Sequence, residues 1–185
     1  MKKRLIFLFC LLSIFTFSLT EKTDIVGPTS KEQILKHFPE WADFVKAYSP
    51  DPEIINQLKN INRSVTIEVF LGTWCPDSKS HVSEYFKIME SVDNPLFFSN
   101  YIGLPRDKQA RIPFIKGKDI VRIPTFIILI DGLEKGRIVE HPVDSLERDL
   151  LNFVSESDRA ETYEFCQSNY HADLPLNCID CHLKF

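Results

Sequence analysis

The chain is poor in glycine, methionine and tryptophan, with 6, 2 and 2 among 185 residues. So little glycine excludes a collagen-like chain, and the otherwise ordinary composition excludes a low-complexity or largely disordered one. Five cysteines are too few for a disulfide-dense miniprotein. A basic footprint is also missing. Lysine and arginine total 22 against 26 aspartates and glutamates, a formal net charge of −4, which argues against nucleic acid as a partner. No internal repeat is visible. What is present is 44% hydrophobic, 12% aromatic and 26% charged. That is the make-up of a globular protein, and the length suits one domain of about 100–200 residues.

The first residues read as an address. Lys2, Lys3 and Arg4 precede an apolar run from Leu5 to Leu19, broken only by Ser13, Thr16 and Ser18. Charge returns at Glu21 and Lys22. This is the layout of a secretory signal peptide, assigned here to residues 1–20. It predicts export across the inner membrane, to the periplasm of a Gram-negative source. The run is short for a spanning helix of about 20 residues, so contact with a membrane follows only if the segment stays uncleaved. Cys10 leaves with it. Cleavage removes three basic and no acidic residues, so the mature chain has 19 basic against 26 acidic residues and a net charge of −7. It keeps Cys75, Cys166, Cys178 and Cys181 in a compartment where disulfides persist.

Residues 21–60 read as a linker (21–30) and a helical extension. Ser30 with Gln33 forms a capping box for a helix near 31–37. Pro39 interrupts, a second helix runs over 40–48, and Asp51 with Pro52 opens a third near 52–60. The main domain follows at 61–157. Val65–Leu71 is rich in β-branched and aromatic residues and predicts a strand ended by Gly72 and Thr73. Pro76 opens a helix to about Met89, with Val82, Tyr85, Phe86 and Met89 spaced as a core face. Strands are expected at 96–102, 126–130 and 136–140. Asp131-Gly132 makes a turn between the last two. Residues 104–118 form a basic, proline-containing loop suited to solvent or to an acidic partner. Asp144 and Glu147 form a cap before a helix over LERDLLNFV. Another helix is expected near 158–168, within a tail at 158–185. Alternation of strand and helix predicts a central sheet with helices on both faces.

Two segments carry a resemblance. A strand ending in FLGTWCPDS, then a helix, then RIPTFIILIDGLEKGRIVEHP, resembles the thioredoxin superfamily over about residues 60–155. The implied fold is α/β and thioredoxin-like: a central mixed sheet flanked by helices, here with a helical extension before it and a cysteine-containing tail after it. The resemblance implies a cis proline at Pro124 facing the active-site Cys75. It also implies that Trp74, Pro124 and Thr125 shape a peptide-binding edge. The chemistry of Cys75 follows from its place between a strand and a helix opened by Pro76. A sulfur there faces unpaired N–H groups of the helix terminus, which favour thiolate over thiol, and the thiolate is the nucleophile.

The motif departs from dithiol members at Ser78, where they carry the second cysteine. A serine hydroxyl forms no disulfide, and its expected part is to hydrogen-bond the Cys75 thiolate. Asp77 opposes that thiolate and Lys79 favours it. Where many thioredoxins bury a carboxylate, this chain has Val69, with Glu68 turned to the other sheet face. The motif is similar to monothiol variants and to secreted thioredoxin-like proteins carrying TWC-x-DS.

The tail holds the other thiols. Cys178 and Cys181 could resolve a mixed disulfide on Cys75, or be stapled structurally with Cys166. With His182 they also match the C-x-x-C-H pattern of covalent c-type haem, His171 or a methionine being the second axial ligand. Cys166, His171, Cys178 and Cys181 are ligand types suited to zinc, at a spacing that matches no established pattern. Apart from the haem alternative no cofactor is expected. His37, His81 and His141 are read as local residues, and Phe114 and Phe126 as core. Three functions therefore stand: a secreted thiol–disulfide oxidoreductase acting through Cys75 on protein thiols or disulfides, a non-catalytic binding module, and an electron-transfer protein with haem on the tail.

Overall fold

The structure is a computed structural model describing residues 23–155. The expected signal peptide at 1–20 and everything beyond residue 155 lie outside the described residues.

Strand β1 (Gly27–Thr29) precedes helices α1 (Lys31–His37), α2 (Trp41–Ala47) and α3 (Pro52–Lys59). Ser30 caps α1, accepting Gln33 N–H at 3.2 Å. Asp51 caps α3, accepting Glu53 N–H at 2.8 Å. The main body then runs β2 (Val65–Leu71), α4 (Pro76–Val92), β3 (Phe97–Gly103), a 3-10 turn (Gln109–Arg111), α5 (Ile112–Ile115), β4 (Thr125–Ile130) and β5 (Leu133–Val139). Helix α6 follows through residues 146–155.

The five strands form one sheet in the order β1-β3-β2-β4-β5. Only β2 and β3 are parallel, joined through α4 as a parallel pair requires a crossover, and the other three pairings are antiparallel. The molecule is thus a mixed α/β fold. Alternation along the strands divides the core. Val65, Ile67, Val69 and Leu71 of β2, with Phe126, Ile128 and Ile130 of β4, join one cluster with the apolar faces of α1–α4 and α6. Phe70 and Ile127 point the other way, into a smaller cluster closed by Leu104 and Ile123. Val82, Tyr85 and Phe86 of α4 are fully buried, as their spacing predicts. Burying each such side chain stabilises the fold by about 1.5–3 kcal/mol.

Several expectations need correction. Residues 27–29 are a strand, not a linker: Gly27 pairs with Gly103 and Thr29 with Tyr101. The close approach is allowed because Gly103 has no side chain to meet the Ile25 carbonyl. Strand β5 starts three residues earlier than expected, because Asp131 and Gly132 (φ 52° and 79°) turn the chain so tightly that Leu133 already pairs with Ile130. Ser145, not Asp144, accepts Arg148 N–H at 3.3 Å, since the helix begins at residue 146. The longer helices lie on one side of the sheet. The other side is covered by the Leu104–Ile123 segment with its short turns, because proline and glycine interrupt longer periodicity there.

Candidate functional site

Strand β2 delivers Gly72, Thr73 and Trp74, and α4 begins just after Cys75. Cys75 is the residue capping α4, with extended backbone (φ −93°, ψ 124°), and Pro76 occupies the first turn. The residue is 8% exposed, and its thiol donates to the Ile123 carbonyl at 3.8 Å. The Ile123–Pro124 bond is cis, the isomer that the resemblance implies. Cys75, Phe70, Leu104, Ile123 and Ile127 form the smaller core cluster, with Trp74 packed against them. The sheet thus brings Trp74, Cys75 and the Ile123–Pro124 turn together from segments 48 residues apart.

Gly72 is required by this packing. A Cβ there would lie 2.8 Å from both the Ile123 side chain and the Trp74 ring. Trp74 is held by its indole N–H, which donates to Leu104 O at 3.0 Å. Two guanidiniums flank it: Arg106 lies 5.5 Å and Arg111 5.3 Å from the ring centroid. Arg111 is fixed by donating to Pro105 O at 2.8 Å and Arg106 O at 3.0 Å. Arg106 donates to Asp24 at 2.9 Å, and the Thr73 hydroxyl accepts Ile25 N–H at 3.1 Å. The arginines and Asp24 were not legible as site residues. A basic loop reads the same whether it faces solvent or folds back on a tryptophan.

Ser78 is fully buried, but its hydroxyl accepts Gly72 N–H at 3.1 Å. That bond ties the end of β2 to the first turn of α4. It replaces the expected bond to the Cys75 sulfur. Thr125 begins β4. It pairs with Phe70 of β2 and Val139 of β5, so its backbone is interior to the sheet and forms no free edge. The Pro124 carbonyl is likewise taken by Glu140 N–H at 2.8 Å. Val69 is buried in the larger cluster, while Glu68 on the opposite face pairs with Lys118 at 2.6 Å. Lys79 lies over the Phe44 ring at 4.5 Å.

One turn further along α4, His81 and His141 meet. His81 Nδ1 is 2.8 Å from the Glu84 carboxylate, and its Nε2 is 3.1 Å from His141 Nδ1. The hydrogen bond to Glu84 raises the His81 pKa above its ordinary value, with burial opposing. A protonated His81 donates through both nitrogens. Among the described residues no group of three or more histidine, cysteine or acidic side chains is arranged to hold a metal ion. An open groove of about 410 Å³ is lined by Asp43, Phe44, Ala47, Tyr48, Ser80 and Glu84, and Cys75 is not among them. Among the described residues no helix is long and apolar enough to cross a membrane. The other sequence candidates, Cys166, Cys178, Cys181, His171 and His182, lie outside the described residues, and with them the disulfide, haem and zinc readings.

No family model matches the chain, and comparison with curated proteins finds no match. Several solved structures are similar in fold. A Pseudomonas aeruginosa protein of unknown function aligns at a TM-score of 0.50 and 16% identity, over 71% of this chain and 99% of its own. An HIV epitope scaffold aligns at 0.51 and 17% identity, over 69% of this chain and 83% of its own. At such identity the likeness is one of fold alone.

Proposed function

We propose that the chain is a secreted, thioredoxin-like thiol–disulfide oxidoreductase in which Cys75 is the nucleophile. The observation that carries this reading is the placement of the Cys75 sulfur. Cys75 is the residue that caps α4, where a helix terminus favours thiolate over thiol, and its sulfur lies 3.8 Å from the carbonyl that precedes Pro124. Sheet order and the strand–cysteine–helix junction support the thioredoxin-like assignment. The reaction is attack of the Cys75 thiolate on a disulfide sulfur. A mixed disulfide forms and one substrate thiolate leaves. Trp74 supplies an apolar wall for the partner. Ser78 acts by fixing the Gly72 turn on which Trp74 and Cys75 are mounted. Export to the periplasm belongs to the same proposal and rests on residues 1–20.

The test is thiol exchange with a model disulfide. Cys75→Ser should abolish it, while Ser78→Ala should slow it without abolishing it. Exchange retained in Cys75→Ser would remove the proposal.

A second reading, a binding module, is favoured by the near-complete burial of Cys75 and the missing second thiol at position 78. A native Cys75 that resists iodoacetamide, yet reacts after unfolding, would select it. The haem reading is decided by intact mass of protein from its native host. An added haem mass on the peptide holding Cys178 and Cys181 would replace the thiol chemistry of the tail with electron transfer.

A further inference from the structure

We propose that the basic rim around Trp74 is the docking surface for the chain's own acidic tail, residues 156–185, and that this docking delivers a tail thiol to Cys75. The inference rests on Cys75 being the nucleophile.

The rim is the segment 104–123. Five of its apolar side chains, Leu104, Phe114, Ile115, Ile120 and Ile123, pack with the Cys75 cluster, while Ile112 and Val121 are exposed. That leaves its charged side chains outward. It holds six basic residues against two acidic ones, a net +4 in a chain whose total is −4. Three of the six are matched by carboxylates: Arg106 by Asp24, Lys118 by Glu68 and Arg122 by Glu140. Lys108, Arg111 and Lys116 have no carboxylate partner among the described residues. Lys108 and Lys116 are exposed, and Arg111 lies over Trp74. The rim therefore has unspent positive charge beside the nucleophile.

The tail has the opposite sign. Residues 156–185 contain six acidic and two basic residues, a net −4. They also contain every mature cysteine except Cys75. Reach is not limiting. Cys178 is 23 residues beyond Ser155, the last described residue. A span of 23 residues extends to at most about 76–83 Å, several times the radius of gyration of about 14 Å expected for a domain this size. Tethering places a second reactive group at an effective concentration of order mM, and opposite charge raises its occupancy of the rim.

The chemistry balances within the chain and its substrate. Cys75 thiolate attacks the substrate disulfide, leaving a Cys75–substrate disulfide and one substrate thiolate. Cys178 thiolate attacks the Cys75 sulfur, and the second substrate thiolate leaves. Cys181 thiolate then attacks the Cys178 sulfur and frees Cys75. The substrate disulfide gains two electrons, and the tail dithiol loses them by becoming the Cys178–Cys181 disulfide.

The test uses the full mature chain, reduced and then freed of reductant. Hydroxyethyl disulfide, a neutral reagent, is added in stoichiometric amount, and disulfides are mapped by peptide mass. Wild type should finish with free Cys75 and a Cys178–Cys181 bond. Cys181→Ser should accumulate a Cys75–Cys178 bond. Conversion of the reagent–Cys75 disulfide into this bond should have a first-order rate constant that is independent of protein concentration and falls about fivefold or more from about 0.05 to about 0.5 M salt. Lys108→Glu with Lys116→Glu should slow it by a similar factor. Alkylation of wild-type Cys75 by neutral iodoacetamide, run at both salt concentrations, should not follow this trend.

Three results would overturn the docking proposal. One is a reagent–Cys75 disulfide that persists beside free tail thiols. Another is a conversion of the reagent–Cys75 disulfide whose rate constant rises with protein concentration, which makes the donor another molecule. The last is tail oxidation equally fast in Cys75→Ser. A Cys75 that reacts with neither reagent ends the nucleophile reading and the docking proposal together, whereas a reactive Cys75 that the tail never resolves ends only the latter.

Discussion

At the scale of single residues, the site depends on one small and one polar side chain next to the cysteine. Gly72 has no Cβ, and that lets the Trp74 ring and Ile123 close over Cys75. Gly72→Ala should force both to shift, as overpacking does elsewhere, at a cost of about 1–3 kcal/mol. Urea denaturation measures the cost, and the Trp74 contribution to fluorescence should change in the native state. Ser78 makes a different contribution. Ser78→Ala leaves the Gly72 N–H buried without an acceptor, a loss of about 1–3 kcal/mol. An alanine variant as stable as wild type would mean that water replaces the hydroxyl. The cysteine, the tryptophan and the proline were legible because each stands at a fixed offset from a strand or helix end. The true partner of Ser78 was not. A hydroxyl in the first turn of a helix can turn toward the sulfur or toward the preceding loop, and only the packed geometry of Gly72 decides.

At the scale of elements, α4 links the site to the far end of the sheet. Cys75 caps its N-terminus, Ser78 stands in its first turn, and His81 and Glu84 follow along the helix. The sign of the pH effect follows from the direction of the His81 shift. Unfolded, His81 titrates near its ordinary value of 6.5, and folded it titrates higher because Glu84 accepts its proton-bearing nitrogen. The stabilisation from this pair is therefore complete below pH 6.5 and is lost as pH rises through the folded value. Glu84→Gln keeps the shape and removes the charge. The stability difference between wild type and this variant should be largest below pH 6.5 and should shrink at higher pH. A difference that is flat with pH would show that the carboxylate does not hold the imidazolium.

Element positions were mostly legible. The caps at Ser30 and Asp51, and the β-branched run of β2, are local signals that tertiary packing did not override. Strand β1 was hidden because three residues with a glycine and a proline have no strand propensity of their own. Pairing with β3 makes them a strand. The His81–His141 contact was hidden for a related reason. It joins residues 60 positions apart, and neither sits in a pattern that announces the other.

At the scale of the whole molecule, the question is whether the helical segment before residue 61 is a separate unit. Sequence alone suggests a preface, because α1–α3 precede the first long strand. The packing argues for one cooperative body. Ile34, Trp41, Ile54 and Leu58 share a continuous buried cluster with β2, β4, α4 and α6. Polar ties cross the same boundary: Tyr48 donates to Glu147 at 2.6 Å, and Asp51 N–H donates to the same carboxylate at 3.1 Å. Burial, together with the hydrogen bond to Glu147, pushes the Tyr48 hydroxyl pKa well above its ordinary value. The chain has two tryptophans, one on each side of the question. Trp41 is 1% exposed within the helical layer, and Trp74 is half-buried beside Cys75. Trp74→Phe leaves Trp41 as the sole indole, and Trp41→Phe does the reverse. Each variant has its own stability, so each is compared with its own far-ultraviolet circular dichroism. In both variants the fluorescence and dichroism transitions in urea should coincide, as a two-state unit requires. A Trp41 transition that precedes loss of dichroism would make residues 31–60 a separately melting layer. The Tyr48–Glu147 bond would then be a contact between two bodies and not a tie within one. Coincidence in both would also extend the reach of the site. A substitution such as Tyr48→Phe, on the helical layer, would then lower the stability of the Cys75 environment by the same amount as that of the whole fold.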